Sequence, residues 1–91
     1  MSELSNENWI SIKKVGLPEF ELTMKNEVLS IYDTKEVLIQ TEHEEMFIAF
    51  CQKVQKHNEW KKEIYWYAAH RTLVIDKVVA WMELPDRYEG E

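Results

Sequence analysis

The sequence has little of several residue types on which whole classes of protein depend. Its single cysteine, Cys51, excludes an internal disulfide and any zinc site made of cysteines alone. Its two glycines and two prolines exclude collagen-like chains, low-complexity chains and glycine-rich phosphate-binding loops. The 91 residues are 45% hydrophobic, 12% aromatic and 31% charged, which is typical of one small globular domain.

Long apolar runs are also missing, because charged residues interrupt every hydrophobic stretch well before the ~20 residues of a membrane span. The first residues, MSELSNENW, lack the basic start and apolar run of a secretory signal. We therefore expect a cytoplasmic protein without membrane contact, in which the Cys51 thiol stays reduced. We also expect a single domain over residues 1–91, with residues 1–8 and 86–91 as flexible ends.

The net charge of −6 is confined to the two ends of the chain. Residues 1–36 and 83–91 carry −3 each, whereas residues 37–82 carry six acids and six bases. A neutral centre offers no basic surface for the phosphates of a nucleic-acid duplex, so general duplex binding is not expected. A protein that imitates the negative charge of DNA needs a dense face of carboxylates. The acidic clusters at residues 42–45 and 83–91 give only weak support to that hypothesis.

Most of the chain has the alternation and the β-branched and aromatic content of strands. Residues 28–32 and 36–41, joined by Asp33-Thr34-Lys35, predict an antiparallel hairpin. The sequence predicts a mainly β domain, a compact antiparallel sheet or barrel-like domain of four to six strands. Further extended segments are predicted at residues 9–12, 63–70, 72–76 and 77–84.

One segment, residues 42–58, fits two structures equally well. As a helix it has a capping box from Thr41 to Glu44, with acids in its first turn and bases in its last. As a strand, its MFIAFC run (residues 46–51) is short, apolar and aromatic. Because periodicity cannot decide for a run of this length, a small α+β domain with one helix at residues 42–58 stays open.

Histidines, cysteine and paired acids assemble no recognisable catalytic or metal motif. His43, His57 and His70 have none of the spacings of zinc ligands. Cys51 lies inside an apolar run, where a cysteine usually packs as a small hydrophobe. We therefore expect no enzyme, no metal site and no cofactor.

Residues 56–71 combine aromatic side chains with the positively charged side chains of lysine and arginine. This mixture can stack unpaired nucleic-acid bases or form a protein-binding hot spot, while packing in a core is the simpler use. We expect Trp9, Trp66 and Trp81 to serve the core, and Trp60, Tyr65 or Tyr67 to face outward. The candidate binding residues are Trp60, Lys61, Lys62, Tyr65, Tyr67 and Arg71.

Two short motifs near the ends of the chain are its most distinctive features. The opening motif is WISIKKVGLPE (residues 9–19) and the closing motif is WMELP (residues 81–85). In content and order they resemble a family of small phage and prophage proteins, domain-of-unknown-function family 551. The resemblance implies a β-rich domain and brings no catalytic residues. The structural positions that match its motifs are Trp9, Leu17, Pro18, Trp81, Leu84 and Pro85.

The sequence departs from that family at Ala80 and Glu83, which stand where the family usually has histidine and proline. Residues 37–50 look like the family's central hairpin, in which case residues 20–36 hold an extra strand. If residues 28–41 are that hairpin instead, residues 42–58 are an insertion.

The function that follows is a non-catalytic protein–protein interaction module of phage or prophage type, located in the cytoplasm of the bacterial host. Its partner would be a host or phage protein, with modulation or inhibition of a host defence protein as one specific form. The alternative is a single-stranded nucleic-acid-binding protein that uses residues 56–71. Formation of a homo-oligomer is a further hypothesis, through an exposed edge strand such as residues 28–32.

Overall fold

A computed structural model describes residues 8–85 and contains one open antiparallel sheet of eight strands. The mainly β class predicted from the sequence is confirmed, and two strands of only two residues raise the number above the predicted four to six. Apart from residue 8, the ends predicted to be flexible lie outside the described residues. The strands are β1 (Ile10–Ser11), β2 (Glu21–Lys25), β3 (Leu29–Asp33), β4 (Val37–Thr41), β5 (Met46–Lys56), β6 (Lys62–Ala68), β7 (Thr72–Leu73) and β8 (Val78–Glu83).

The segment that fitted either a helix or a strand forms the longest strand, β5, so the helix at residues 42–58 is wrong. Pairing on both sides explains the outcome. Strands β3 and β4 pair with one side of β5, and β6 pairs with the other. These long-range ladders decide between two local preferences of equal strength. No helix within the described residues is long and apolar enough to cross a membrane.

Strands β3 and β4 lie end to end along the same side of β5. β4 pairs with residues 46–49 and β3 with residues 52–56, both antiparallel. The hairpin predicted between residues 28–32 and 36–41 is therefore wrong. Residues 28–32 offer no free edge either, because β3 lies between β2 and β5. The hairpin that does form joins β4 to β5, while β2 and β3 occupy most of residues 20–36.

Thr34 keeps the ladder continuous where β3 passes into β4. Its backbone N–H donates to the Cys51 carbonyl at 2.9 Å. Its Oγ1 accepts the Cys51 N–H at 2.9 Å, in the place that a backbone carbonyl would take. The register changes by one residue here, from Asp33 opposite Gln52 to Val37 opposite Ala49. This β-bulge interrupts regular pairing without reversing the chain, which is why no hairpin turn forms.

The hydrophobic core lies on one face of the sheet, which we call the core face. Along β4, Val37, Ile39 and Thr41 are buried on this face, whereas Leu38 and Gln40 project to the other side. The segment that leads from β1 to β2 packs against the core face. The buried hydrophobic residues are Val37, Ile39, Ala49, Cys51, Trp66, Val78 and Trp81.

The segment between β1 and β2 covers Trp81 and hydrogen-bonds to it. The indole Nε1 of Trp81 donates to the Gly16 carbonyl at 2.9 Å. Gly16 has a φ of +120°, a conformation that glycine adopts without steric cost. Leu17 packs against the core and Pro18 is buried. The Leu-Pro motif therefore closes one side of the core over Trp81.

Trp9 is half-buried and lies outside the core cluster, which corrects the expectation that it serves the core. The register of β1 gives the reason, because it places Ile10 rather than Trp9 opposite Trp81. Trp9 itself precedes β1. At the other end, Leu84 is half-buried and Pro85 is exposed.

Candidate protein-binding surface

The sheet face opposite the core carries hydrophobic side chains that stay partly accessible, and we call it the open face. Directly opposed residues of antiparallel strands project to the same side. The register therefore joins Phe50 to Tyr67, and Tyr67 to Leu73, on this face. The apolar and aromatic residues of the open face are Ile31, Leu38, Met46, Ile48, Phe50, Val54, Tyr65, Tyr67, Leu73 and Met82.

An aromatic cluster of Phe50, Tyr65 and Tyr67 occupies the middle of the open face. The ring centroids of Phe50 and Tyr67 are 5.6 Å apart, and those of Tyr65 and Tyr67 are 6.2 Å apart. The planes are inclined by 32° and 40°, within the tilted arrangements that aromatic pairs favour. The cluster therefore presents a connected ring surface rather than three separate side chains.

Arg71 adds a cation to the aromatic cluster. Its guanidinium carbon lies 5.5 Å from the Phe50 ring centroid and 5.6 Å from that of Tyr67, within cation–π range. The short 3-10 turn after β6 places it there, since His70 and Arg71 both adopt positive φ values, 60° and 57°. This local turn folds Arg71 back over the strand that precedes it.

The rest of the open face extends the aromatic cluster with exposed aliphatic surface. Met46 is 59% exposed, Ile48 51% and Leu73 46%. Isolated hydrophobic residues are normal on a protein surface, but contiguous patches around aromatic rings mark interaction sites. The open face is such a patch.

Charges on the open face are mixed rather than basic. The Tyr65 hydroxyl donates to Glu63 Oε1 at 2.9 Å, and this hydrogen bond to the carboxylate raises the pKa of the Tyr65 phenol. Gln52 Nε2 donates to Asp33 Oδ1 at 3.1 Å on the same face. Arg71 therefore shares the surface with two carboxylates, which suits protein side chains better than a row of phosphates.

The structure divides the six binding residues predicted from the sequence. Tyr65, Tyr67 and Arg71 lie together on the open face, as described above. Trp60 is 86% exposed in the connection between β5 and β6. Lys62 pairs with Gln55 and so projects toward the core-face side, and Lys61 precedes the strand. Sequence reasoning missed Phe50 and Ile48, which only a strand interpretation of residues 46–56 places beside the tyrosines.

The Cys51 thiol has low reactivity in this fold. Its side chain is fully buried, and burial, with a smaller contribution from Asp33, raises the thiol pKa to about 12. The reactive form of cysteine is the thiolate, which is scarce at neutral pH when the pKa is this high. The position therefore serves packing rather than nucleophilic chemistry.

Buried Ser30 and exposed His57 form a hydrogen-bonded pair that has the outline of a nucleophile and its base. Ser30 Oγ lies 2.9 Å from His57 Nε2, and the Glu27 carbonyl lies 3.2 Å from Nδ1. A carbonyl only accepts, so Nδ1 holds the proton and Nε2 accepts from the Ser30 hydroxyl. Ser30 is 4% exposed, too little for a substrate to reach its oxygen. The pair instead ties β3 to the end of β5.

A cleft of about 390 Å³ lies beside Pro18, Thr34 and Trp81. Its lining includes Glu19, Glu21, Asp33, Lys35 and Glu83, a mostly acidic set. Residues 8–85 place no group of three or more His, Cys, Asp or Glu side chains where they could hold a metal ion. The cleft therefore has no feature that selects a ligand.

No family model matches the chain, and no curated protein or solved structure matches it either. Function is therefore inferred from the residues of the open face.

Proposed function

We propose that this chain is a non-catalytic protein–protein interaction module that binds its partner through the open face. In line with the sequence motifs at its two ends, we place it among accessory proteins of phage or prophage type, with a host or phage protein as partner. Modulation or inhibition of a host protein, such as a defence protein, is the specific form of activity that we propose for such a module.

The observation that carries the proposal is the Arg71 guanidinium stacked over the linked rings of Phe50 and Tyr67 on an uncovered sheet face. Tyrosine and arginine are enriched among the residues that dominate binding energy at protein interfaces. Two tyrosines have few rotatable bonds, so their rings are ordered on binding at low entropic cost. Exposed Met46, Ile48 and Leu73 around them supply apolar area that a partner would remove from water.

The alternative is a single-stranded nucleic-acid-binding protein. Such a protein needs basic side chains beside the aromatic rings on which the nucleobases stack. Lys61 and Lys62 lie at the start of β6 or before it, and Lys62 projects to the other side of the sheet from Tyr65 and Tyr67. Glu63 instead lies beside the tyrosines and accepts a hydrogen bond from one of them. This distribution of charge favours a protein partner.

Site-specific photo-cross-linking in bacterial lysate tests the proposal. A benzophenone amino acid at Tyr67 should give one discrete cross-linked protein, and Arg71→Glu in the same chain should abolish it. The same probe at Trp60 is the matched control, because Trp60 is exposed but lies off the open face. Cross-linking at Trp60 alone, or at neither position, would contradict the proposal.

Binding to a labelled single-stranded oligonucleotide at low salt tests the alternative. We expect no polarisation change at protein concentrations up to about 100 μM, the weak limit of the usual range of non-specific dissociation constants. Salt-sensitive binding that Lys62→Ala removes and Tyr67→Ala leaves intact would contradict the proposal. It would support nucleic-acid binding through the lysines of residues 56–71.

A further inference from the structure

The first part of β5 has a free edge on the side where β6 pairs. β6 pairs with residues 50–55 of β5, whereas residues 46–49 pair only with β4 on the opposite side. β6 ends at Ala68 because the 3-10 turn at Ala69–Arg71 directs the chain away. The N–H and C=O groups of Met46 and Ile48 point to this side, because those of the alternate residues point to β4. Within residues 8–85 no strand pairs with them, so they are available for another strand.

This edge lacks the devices with which proteins usually protect free strands. Residues 46–51 contain no charge and no proline, and their register with β4 has no bulge. Met46, Phe47 and Ile48 are consecutive exposed hydrophobic residues, at 59%, 37% and 51%. The other outer strands are protected, since β2 carries charged residues and a register shift and β1 and β7 are two residues long.

We propose that a second copy of this chain occupies the edge, by antiparallel pairing of residues 46–48 about a two-fold axis at Phe47. In such a pair each strand meets the same residues of its twin, so the interface is closed and isologous. The uncharged run then lies against itself without repulsion. Met46 and Ile48 extend the open face across the axis, and Phe47 does the same on the core-face side.

Charge complementarity at the two ends of the edge supports a copy of the same chain as the occupant. Glu42, Glu44 and Glu45 lie at the start of the edge, and Arg71 lies at its other end over Phe50. In an antiparallel pair centred on Phe47, Met46 of one copy lies opposite Ile48 of the other, and the acidic turn before Met46 reaches the end of β6, which Arg71 follows. Each acidic turn therefore approaches the Arg71 of the second copy, and the contact occurs twice.

Sedimentation of the purified chain without any partner tests the inference separately from the proposed function. Between about 1 and 200 μM we expect a reversible change from monomer to dimer and no larger species, as mass action requires for a closed pair. A monomer throughout this range would overturn the inference, as would open-ended growth beyond the dimer.

Ile48→Lys should raise the dimer dissociation constant about tenfold or more, because it places an ammonium group opposite Met46 of the other copy, twice in an uncharged interface. Ile75→Lys is the matched control, since Ile75 is 86% exposed and lies outside the strands. Equal dissociation constants for the two variants would contradict the pairing.

Reversal of the terminal charges separates the proposed contact from general damage to the fold. Arg71→Glu and Glu44→Lys should each weaken the dimer severalfold, and the double variant should recover most of the loss. Additive losses in the double variant would contradict the contact. If a variant unfolds, slower amide exchange of Met46 and Ile48 at higher concentration of the natural chain is the second measurement, and exchange independent of concentration would overturn the inference.

Discussion

The two halves of the sheet, β4 with β8 and β2 with β3, are held together by different forces. β4 buries every second residue, whereas all five residues of β2 are exposed. Burial of apolar area is the main stabilising term for a strand such as β4. A strand with no buried residue has to be held mainly by hydrogen bonds and local contacts.

Polar contacts stabilise the β2–β3 half, which buries little apolar surface. The Asn26 side chain accepts the N–H groups of Val28 and Leu29 at 2.7 and 2.9 Å in the turn between the two strands. Thr23 Oγ1 donates to the Ile31 carbonyl at 3.0 Å. The Lys53 ammonium lies 4.7 and 4.6 Å from the ring centroids of Phe20 and Tyr32. The comparison teaches that one core stabilises the domain, while much apolar area elsewhere stays free for partners.

The largest effect should follow from removing Trp81 from the core half. Trp81→Ala leaves a cavity and removes the hydrogen bond to the Gly16 carbonyl. We expect a loss of about 3–5 kcal/mol in the free energy of unfolding, measured by denaturant titration. Trp60→Ala, at an exposed tryptophan, should change the same quantity by less than about 0.5 kcal/mol. Similar losses for both variants would contradict the assignment of Trp81 to the core and of Trp60 to the surface.

The next effect concerns Cys51, at the junction of the two halves. With a thiol pKa of about 12 instead of 9.0, the thiolate fraction at pH 8 is lower by about a thousandfold. Alkylation of the folded chain by iodoacetamide should slow by at least that factor relative to the unfolded chain. Because the folded pKa lies above the unfolded one, stability is retained below pH 9 and falls as the pH rises toward 12. Rapid alkylation of the folded chain would contradict burial of this side chain.

A smaller loss is expected where the hydroxyl of Thr34 replaces a backbone carbonyl between β3 and β4. Thr34→Val leaves the buried Cys51 N–H without its acceptor, at a cost of about 1–3 kcal/mol in the free energy of unfolding. Thr34→Ser keeps the acceptor and should lose less. A larger loss for serine than for valine would show that the methyl group rather than the hydroxyl matters.

The smallest of these effects should come from the polar half, at His57. His57→Ala removes the partner of buried Ser30 and should cost about 1–2 kcal/mol, with faster amide exchange concentrated in β3. His43→Ala is the control, because His43 is exposed like His57 but lies in the turn between β4 and β5, away from Ser30. Exchange that quickens equally in β4 would contradict the independence of the two halves.

The sequence was sufficient for those parts of the fold that local alternation determines. β4, β6 and β8 follow their predicted segments closely, because alternate side chains of each strand meet one core. It was insufficient where distant residues decide. The polar Asp33-Thr34-Lys35 looks like a turn, but Thr34 pairs with a residue 17 positions away. For residues 42–58, the helix and strand preferences were equal until three other strands paired with them.

The candidate surface was predictable only in part for the same reason. The aromatic and basic content of residues 56–71 pointed to Tyr65, Tyr67 and Arg71. Phe50 and Ile48 come from another strand and join them only through the β5–β6 register. Lys62 was grouped with the tyrosines by its position in the sequence, although alternation along β6 places it on the opposite side.

The central claim is that the sheet is covered on one face and open on the other. Hydroxyl-radical footprinting of the free chain tests it within one strand, because Tyr65 and Tyr67 flank the buried Trp66. We predict rapid oxidation of both tyrosines and protection of Trp66, although tryptophan is intrinsically the more reactive of the two residue types. Oxidation of Trp66 as fast as its neighbours, or protection of all three rings in the monomer, would contradict the account.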